Sequence, residues 1–345
     1  MIRAARLIAA ATALSLACLA RAAVPNAADY LYRAQPHDTL IGIGKRLLKE
    51  PSRWRAIQQR NGVKVPTRIL PGTALLIPRE WLRQDIAAAT VVNVVGAANG
   101  QGGALRTGDA LPEGARLSTE AGAHLTVKLG DGSLITLNPR STLTLQRLKR
   151  YTGTGQHDTL LQLDSGSVET KVTPQGESGR FQIRTPVAVS AVRGTEFRRS
   201  IDAEAIDRTE VVGGLVALNA ARDGSGAGGA VDVAAGFGAL SDAAGGPRPP
   251  VRLLPPPDLS ALGGDWTDDQ LSVDFTPVPA AQAYHAQLAA DENFQTVVAE
   301  SQGGSPPLKF AAQPDGRYWL RVRSIDAQGL AGADAVRSLQ RRRLL

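Results

Sequence analysis

The sequence has a single cysteine, Cys18, among its 345 residues. If the N-terminal stretch that contains it is removed, the rest of the chain has no thiol. This excludes disulfides, cysteine nucleophiles and cysteine metal ligands. The fold must then be stabilised by packing alone.

Histidine is also scarce, and none of the four residues forms HExxH, HxH or another pair with the spacing of metal ligands. They are His37, His124, His157 and His285. A G-x-S-x-G nucleophile motif is absent as well. We therefore predict that the protein is not an enzyme and uses no metal or cofactor. A glycosidase-type pair of carboxylates stays open, because its geometry is not visible in a sequence.

Aromatic residues make up only 4% of the chain, whereas there are 36 glycines and 21 prolines. This balance favours many short strands joined by turns over a bundle of helices. A chain of 345 residues also exceeds one typical domain. We predict a mainly β, multi-domain protein.

Long apolar runs are missing apart from one near the N-terminus. Arg3 and Arg6 precede an apolar run from Leu7 to Ala20, and Ala20-Arg21-Ala22 supplies small residues for cleavage. This pattern predicts a secretory signal peptide at residues 1–23 and export to the periplasm. The run has about 14 residues, fewer than the roughly 20 that span a membrane. An uncleaved anchor is the alternative.

Charge of one sign is not strongly in excess. The net charge is +7, and removal of the arginines in residues 1–23 leaves about +4. Mildly basic character favours contact with anionic envelope polymers and is also compatible with simple solubility. No block of lysine and arginine with interleaved aromatics occurs, so we predict no nucleic-acid partner.

Changes in composition and in the pattern of apolar residues divide the rest of the chain into three segments and a connector. We predict a first module at residues 30–82, a β domain at 90–241, a Pro/Gly-rich linker at 242–257 and a β-sandwich at 258–340. A Gly/Ser-rich surface loop, Gly224 to Gly229, is expected inside the second segment.

The pattern of the first module predicts strand, helix, helix and strand. Asp38 and Thr39 are placed to cap the first helix, and Pro71-Gly72 turns the chain into the last strand. Three stretches in this order resemble the LysM family: Tyr32 to Leu40, Trp54 to Asn61 and Ile69 to Pro78. One departure is His37, where that family usually has glycine.

The LysM resemblance implies binding of N-acetylglucosamine-containing glycans such as peptidoglycan. The groove would lie between the loop after the first strand and the loop before the last. Carried over to this sequence, the glycan-binding residues are Asp38, Thr39, Leu40, Ile69, Leu70 and Pro71. The alternative is structural, with Asp38 and Thr39 capping a helix and Ile69 in the core.

The second segment is dominated by alternation. Leu125, Val127 and Leu129 fall on one face of a strand, and Gly130 to Ser133 forms a tight turn into the next. Repetition of this pattern predicts a β-sandwich or a solenoid-like stack, and the sequence does not choose between them.

Several stretches of this segment resemble the FecR domain family: Val127 to Ser141, Leu163 to Val168 and Ile183 to Phe197. We expect the fold of that family without its sigma-factor regulation, because no cytoplasmic anti-sigma segment or mid-chain spanning helix is evident. Arg193 and Glu196 are interpreted as a structural pair that braces a turn. Gly194 is expected to adopt a backbone conformation that other residues resist.

The third segment resembles a fibronectin type III-like sandwich. Its clearest alternation, from Gly316 to Asp326, predicts that Tyr318, Leu320 and Val322 point inside and that Trp319, Arg321 and Arg323 point outside. An arginine stacked on Trp319 is favoured over a carbohydrate or protein contact there. Arg341 to Arg343 is expected to be a frayed, solvated end.

Together these features predict a non-catalytic periplasmic adaptor. Its first module would bind peptidoglycan, and its two β domains would present surfaces to another envelope protein. The alternative is a FecR-like protein that relays an envelope signal to a membrane partner. A wall hydrolase is a third hypothesis and needs a catalytic Asp or Glu. Contact with the membrane is expected only if the signal segment is uncleaved.

Overall fold

A computed structural model describes residues 28–221 and 230–343. Strands make up 49% of it and helices 7%, in several sheets, so the prediction of a mainly β, multi-domain fold is confirmed. The predicted signal segment at residues 1–23 and the predicted loop from Gly224 to Gly229 lie outside the described residues.

The N-terminal unit, residues 28–82, has the predicted order of strand, helix, helix and strand. Thr39 caps the first helix, because its hydroxyl accepts a hydrogen bond from the Gly42 amide at 3.0 Å. The two strands pair antiparallel, with Leu31 opposite Leu76. The elements are β1 (Asp29–Arg33), α1 (Leu40–Leu47), α2 (Trp54–Arg60) and β2 (Ala74–Pro78), with short 3₁₀ turns at Pro51–Arg53 and Arg79–Trp81.

The middle unit, residues 83–252, contains the strands that alternation predicts and a shared apolar core. Its strands are β3 (Gln84–Ile86), β4 (Ala89–Val95), β5 (Ala98–Gly100), β6 (Gly103–Ala104), β7 (Ala110–Leu111), β8 (Arg116–Thr119), β9 (His124–Lys128), β10 (Leu134–Leu137), β11 (Thr142–Tyr151), β12 (His157–Lys171), β13 (Arg180–Arg184), β14 (Ala188–Val192), β15 (Glu196–Ile201), β16 (Asp207–Gly213), β17 (Leu215–Ala220), β18 (Val231–Ala234), β19 (Phe237–Asp242), β20 (Gly246–Pro247) and β21 (Val251–Arg252).

These strands form two sheets that share β12 and close into a barrel-like structure. One sheet runs β6-β5-β8-β11-β12-β13-β14-β17-β18, and the other runs β7-β4-β9-β10-β12-β15-β16-β19. The β12–β13 pair is parallel, whereas the other pairs in these two sheets are antiparallel. The arrangement is closer to the sandwich alternative than to a solenoid stack.

Gly166 allows β12 to pass from one sheet to the other. Its first half pairs with β13, and its second half, from Gly166 onward, pairs with β15. Gly166 has φ +80°, and a Cβ there would lie 2.6 Å from the Ser141 Cα. A side chain would therefore clash as well as strain the backbone.

Part of the predicted linker belongs to the middle unit. β20 and β21, which fall within residues 242–257, both pair with β19. Contact with the last unit begins at Leu254, whose carbonyl accepts a hydrogen bond from the Ala333 amide at 2.9 Å.

The C-terminal unit, residues 258–343, packs a five-stranded sheet against a two-stranded one. The order of the larger sheet is β22-β28-β27-β24-β25, and β23 pairs with β26. Tyr318, Leu320 and Val322 lie in the core between the sheets, as alternation predicts. The strands are β22 (Asp265–Trp266), β23 (Leu271–Val273), β24 (Ala283–Ala289), β25 (Val297–Gly303), β26 (Leu308–Phe310), β27 (Gly316–Ile325) and β28 (Ala335–Arg341).

Two predictions for charged side chains in this unit are wrong. Arg321 and Arg323 are buried, because the middle unit covers the outer face of β27. Of the predicted solvated end, Arg342 and Arg343 are exposed, but Arg341 is fully buried in β28, with its guanidinium 5.0 Å from the ring centre of Trp266. Trp319 does carry a stacked arginine, since the Arg317 guanidinium lies 4.9 Å from its ring centre.

Candidate functional site

The two loops of the predicted glycan groove lie side by side in the N-terminal unit. The Leu40 amide donates to the Pro66 carbonyl at 2.8 Å, which joins the start of α1 to the loop before β2. Leu40 and Ile69 are buried in the core, whereas Leu70 is 72% exposed and Pro71 is also exposed. Of these four side chains, only the last two are open to a ligand.

Asp38 is held by three donors within its own unit. Its carboxylate accepts from the Tyr32 hydroxyl at 2.5 Å, the Gln35 amide at 2.8 Å and Arg46 at 3.0 Å. Burial alone would raise the pKa of Asp38, but these donors outweigh it and lower the pKa. Burial of Tyr32, together with its hydrogen bond to the Asp38 carboxylate, raises the pKa of Tyr32 to about 12. Asp38 thus links the loop between β1 and α1 to both of these elements.

His37 occupies a position where glycine is expected from the LysM resemblance. Its φ is +68°, in the left-handed region that glycine adopts without a steric penalty. The backbone at His37 therefore has the left-handed conformation that glycine adopts most readily.

The turn with Arg193 and Gly194 in the middle unit differs in part from prediction. Gly194 has φ +66°, and a Cβ there would lie 2.9 Å from the Pro174 Cα. Arg193 donates to the Glu177 carbonyl at 2.6 Å, and among the described residues it forms no ion pair with Glu196. The predicted Arg193–Glu196 pair is wrong, because the left-handed turn between them carries the chain toward different neighbours.

A buried ion network joins the middle unit to the C-terminal unit. Arg321 and Arg323 on β27 each lie 3.0 Å from the carboxylate of Glu169 on β12. Burial would raise the pKa of Glu169, but the two guanidinium groups outweigh it and hold the pKa well below its usual range. Glu169 is therefore ionised throughout the physiological range.

The network continues through Arg198 on β15. Its guanidinium lies 2.9 Å from Asp334 and donates to the carbonyl oxygens of Ala331 and Gly332 at 3.0 and 2.7 Å. Glu210 on β16 accepts from the Ala331 amide at 3.1 Å. Burial raises the pKa of Glu210, so its charged form is less favoured there than in water.

A second polar contact links the same two units through Glu300 on β25. Its carboxylate lies 3.2 Å from Nε2 of His285 and 3.5 Å from Nε2 of His124, which is buried on β9. Gln287 donates to the same oxygen at 2.6 Å. Burial would raise the pKa of Glu300, and these groups outweigh it and lower the pKa.

Two cavities of about 600 and 530 Å³ are lined in part by residues of the network. Glu169 and Arg198 line both of them. Glu196 and Phe197 line the larger cavity, and Arg140 lines the smaller one. Each cavity carries charges of both signs, so neither has the one-sided charge that would select a simple anion or cation.

Residues 28–221 and 230–343 contain no group of three or more His, Cys, Asp or Glu arranged to hold a metal ion. Nor do they contain a helix long and apolar enough to cross a bilayer.

The interface residues were missed by sequence reasoning. Glu169, Arg198 and Glu210 stand in alternating strands at positions that normally face solvent. Their pattern does not differ from that of an exposed face. In the sequence, only Arg321 and Arg323, two positions apart on one face of β27, hint at a shared partner on the middle unit.

Comparison with known proteins identifies one part of the chain. Residues 115–217 match the FecR protein family, so the chain contains a FecR domain that forms most of the middle unit. The match includes Glu169, Arg198 and Glu210. No curated protein matches the chain.

Solved structures similar to this chain include two of a candidate anti-sigma factor from Parabacteroides distasonis ATCC 8503. They are 19% and 20% identical, and each has a TM-score of 0.31. The similarity covers 40% of this chain and 59% of theirs.

Proposed function

We propose that this chain is a non-catalytic regulatory protein of the bacterial envelope, in which the FecR domain relays a signal to a membrane partner. The match of residues 115–217 to the FecR family supports this hypothesis over the adaptor. Export by the N-terminal segment would place the chain in the periplasm.

The interface between the units indicates how such a protein would work. The FecR domain contacts the C-terminal unit through Glu169, Arg198 and Glu210, and all three side chains meet partners from the other unit. A surface built from paired charges is sensitive to changes on either side, because loss of one partner leaves a buried charge uncompensated. Contact with the C-terminal unit would therefore control the conformation of the FecR domain.

A comparison of transcripts tests the regulatory role. A strain that lacks the protein is complemented with the wild type, with Glu169→Gln or with the exposed control Glu204→Gln. We expect deletion to change a small, defined set of transcripts, which the wild type and Glu204→Gln restore and Glu169→Gln does not. Equal amounts of the variants are checked by immunoblot. Unchanged transcripts in the deletion strain would exclude the regulatory role.

The N-terminal unit favours a second, compatible function, which is binding of peptidoglycan glycan. The supporting observation is the βααβ order with the two groove loops joined by the Leu40–Pro66 hydrogen bond. Leu70 and Pro71 are the exposed side chains from which apolar contact with a sugar face would come. Asp38 and Thr39 would shape the groove, since both are bonded within the unit.

Co-sedimentation with purified peptidoglycan sacculi tests this function. The full chain is compared with Leu70→Asp and with Val298→Asp, an exposed valine on β25 in the C-terminal unit. We expect Leu70→Asp to abolish pelleting and the control to pellet like the wild type. Failure of the wild-type chain to pellet would exclude glycan binding.

A further inference from the structure

Positive charge is concentrated in the N-terminal unit. Residues 28–82 have ten lysines and arginines against four acidic residues, a net charge of +6. Since the chain after residue 23 has about +4 in total, the other two units together carry about −2. The acidic residues of the unit are Asp29, Asp38, Glu50 and Glu80.

Three of these acids are neutralised within the unit. Asp29 lies 2.8 Å from Arg60, Asp38 lies 3.0 Å from Arg46, and Glu50 lies 2.9 Å from Arg53. Among the described residues, no ion pair engages the exposed cations Lys45, Lys64 and Arg68.

Two of these cations lie in the loop before β2, and the third lies on α1. Lys45 is one helical turn after Ile41 on α1, so the two side chains are neighbours on the exposed side of the helix. Lys64 and Arg68 flank Pro66, whose carbonyl accepts from the Leu40 amide.

Exposed apolar side chains occupy the same helix and loop. Ile41 is 37% exposed, Val65 is 51% exposed and Leu70 is 72% exposed. The Arg68 amide donates to the Val65 carbonyl at 3.2 Å, so a tight turn holds Arg68 next to Val65. The loop before β2 and the exposed side of α1 therefore carry apolar and cationic side chains together. We call Ile41, Lys45, Lys64, Val65, Arg68 and Leu70 the basic rim.

We infer that the basic rim makes this unit selective for glycans that carry carboxylates, as peptide-substituted peptidoglycan does, over neutral N-acetylglucosamine polymers. The apolar side chains contact the sugar faces, and Lys45, Lys64 and Arg68 attract the carboxylates of the peptide stems. A neutral glycan offers only the first of these contacts. The inference rests on the glycan-binding function proposed above and specifies its substrate class.

Binding of soluble glycans to the full chain tests the inference. The probes are peptidoglycan fragments with intact peptide stems and the neutral N-acetylglucosamine hexamer, both measured by calorimetry at low and moderate salt. The proteins are the wild type, Lys64→Gln/Arg68→Gln and the matched control Arg252→Gln/Lys309→Gln, which removes two exposed cations outside the rim. Exposed ion pairs contribute little each, so we expect the rim variant to weaken binding of the charged fragments about five- to tenfold.

The expected pattern also includes an unchanged affinity for the hexamer and a loss of preference for the charged fragments at higher salt. Equal wild-type affinity for both probes, or an unaffected rim variant, would overturn the inference and leave glycan binding intact. Equal weakening by the control variant would also overturn it, because net charge and not the rim would then be responsible. Binding of neither probe would instead refute the glycan-binding function.

Discussion

At the residue scale, the middle unit contains a fully buried ion pair. Arg199 on β15 lies 2.6 Å from Asp207 on β16, and neither is appreciably exposed to solvent. The guanidinium also donates to the carbonyl oxygens of Ile183 and Ala188 at 2.5 and 3.0 Å, so β13, β14, β15 and β16 meet at one side chain. Its donors are satisfied by three other elements, which makes the pair a structural centre of the FecR domain.

Replacement of Arg199 by methionine should destabilise the protein by about 3–5 kcal/mol, because Asp207 would remain buried without its partner. The matched control is Arg184→Met on β13, where the side chain is exposed. The control should change the free energy of unfolding by less than about 0.5 kcal/mol. Urea denaturation measures the free energy of unfolding of both variants. Similar losses would show that the buried pair contributes no more to stability than an exposed arginine does.

A left-handed glycine gives a second residue-scale prediction. Gly194→Ala introduces both backbone strain and a Cβ 2.9 Å from the Pro174 Cα, whereas Gly236→Ala, at φ +81°, meets nothing within 4 Å. We expect about 1–2 kcal/mol of destabilisation for Gly236→Ala from the backbone alone, and a larger loss for Gly194→Ala. Thermal unfolding measures the stability of both variants. Equal losses of stability would mean that the contact with Pro174 relaxes at no cost in free energy.

At the scale of elements, β27 shows what alternation can and cannot predict. One face packs into the C-terminal core through Tyr318, Leu320 and Val322. The other face carries Arg321 and Arg323 onto Glu169 of β12. The strand is therefore buried on both faces, although its sequence is typical of a strand with one solvated face.

The depressed pKa of Glu169 makes this contact sensitive to acid. Because the folded pKa lies below the unfolded value of about 4.3, the stabilisation is complete above that pH and is lost as pH falls further. Glu169→Gln should reduce the free energy of unfolding by about 2–3 kcal/mol at pH 7. Its difference from the wild type should narrow at pH 3.

Urea denaturation at the two pH values measures this difference, with Glu204→Gln as an exposed carboxylate control. If the wild type and Glu169→Gln differ in free energy of unfolding by the same amount at pH 7 and pH 3, the assignment of the lowered pKa to Glu169 is contradicted.

At the scale of the whole molecule, the N-terminal and C-terminal units each contact the middle unit. Tyr30 of the N-terminal unit stacks edge-on against Tyr151 of the middle unit, with ring centres 5.9 Å apart. The Ser178 hydroxyl of the middle unit donates to the Leu31 carbonyl at 2.5 Å. The C-terminal unit is held by the ion network and by Asn93, which donates to the Gln295 carbonyl at 2.8 Å.

Loosening the ion network should expose the connection between the last two units. In Arg321→Ala/Arg323→Ala, Glu169 loses both guanidinium partners, and the C-terminal unit should separate more often from the middle unit. Trypsin cleavage after Arg252, where the Leu253 amide now donates to the Gly236 carbonyl at 3.0 Å, should accelerate about tenfold.

Intact-mass analysis of the fragments identifies that cleavage site. The matched control is Arg317→Ala, whose side chain stacks on Trp319 away from the network. Cleavage at the wild-type rate in the double variant would show that the network does not hold the units together.

The sequence by itself determined the content and order of the elements. The strand–helix–helix–strand pattern, the alternating strands, the core positions of Tyr318, Leu320 and Val322, and the left-handed Gly194 all follow from local chemistry. Period-2 alternation and a cap or turn residue act over a few positions, so they can be read directly from the chain.

Only the tertiary structure decided which polar faces are covered. Arg321 bonds Glu169 from 152 positions away, Arg198 bonds Asp334 from 136 positions away, and Arg193 turns to Glu177 in place of Glu196. Alternation specifies that two residues share a face and is silent about what packs on that face. Burial of a charge depends on a partner brought close by folding, and that partner leaves no periodic signal in the sequence.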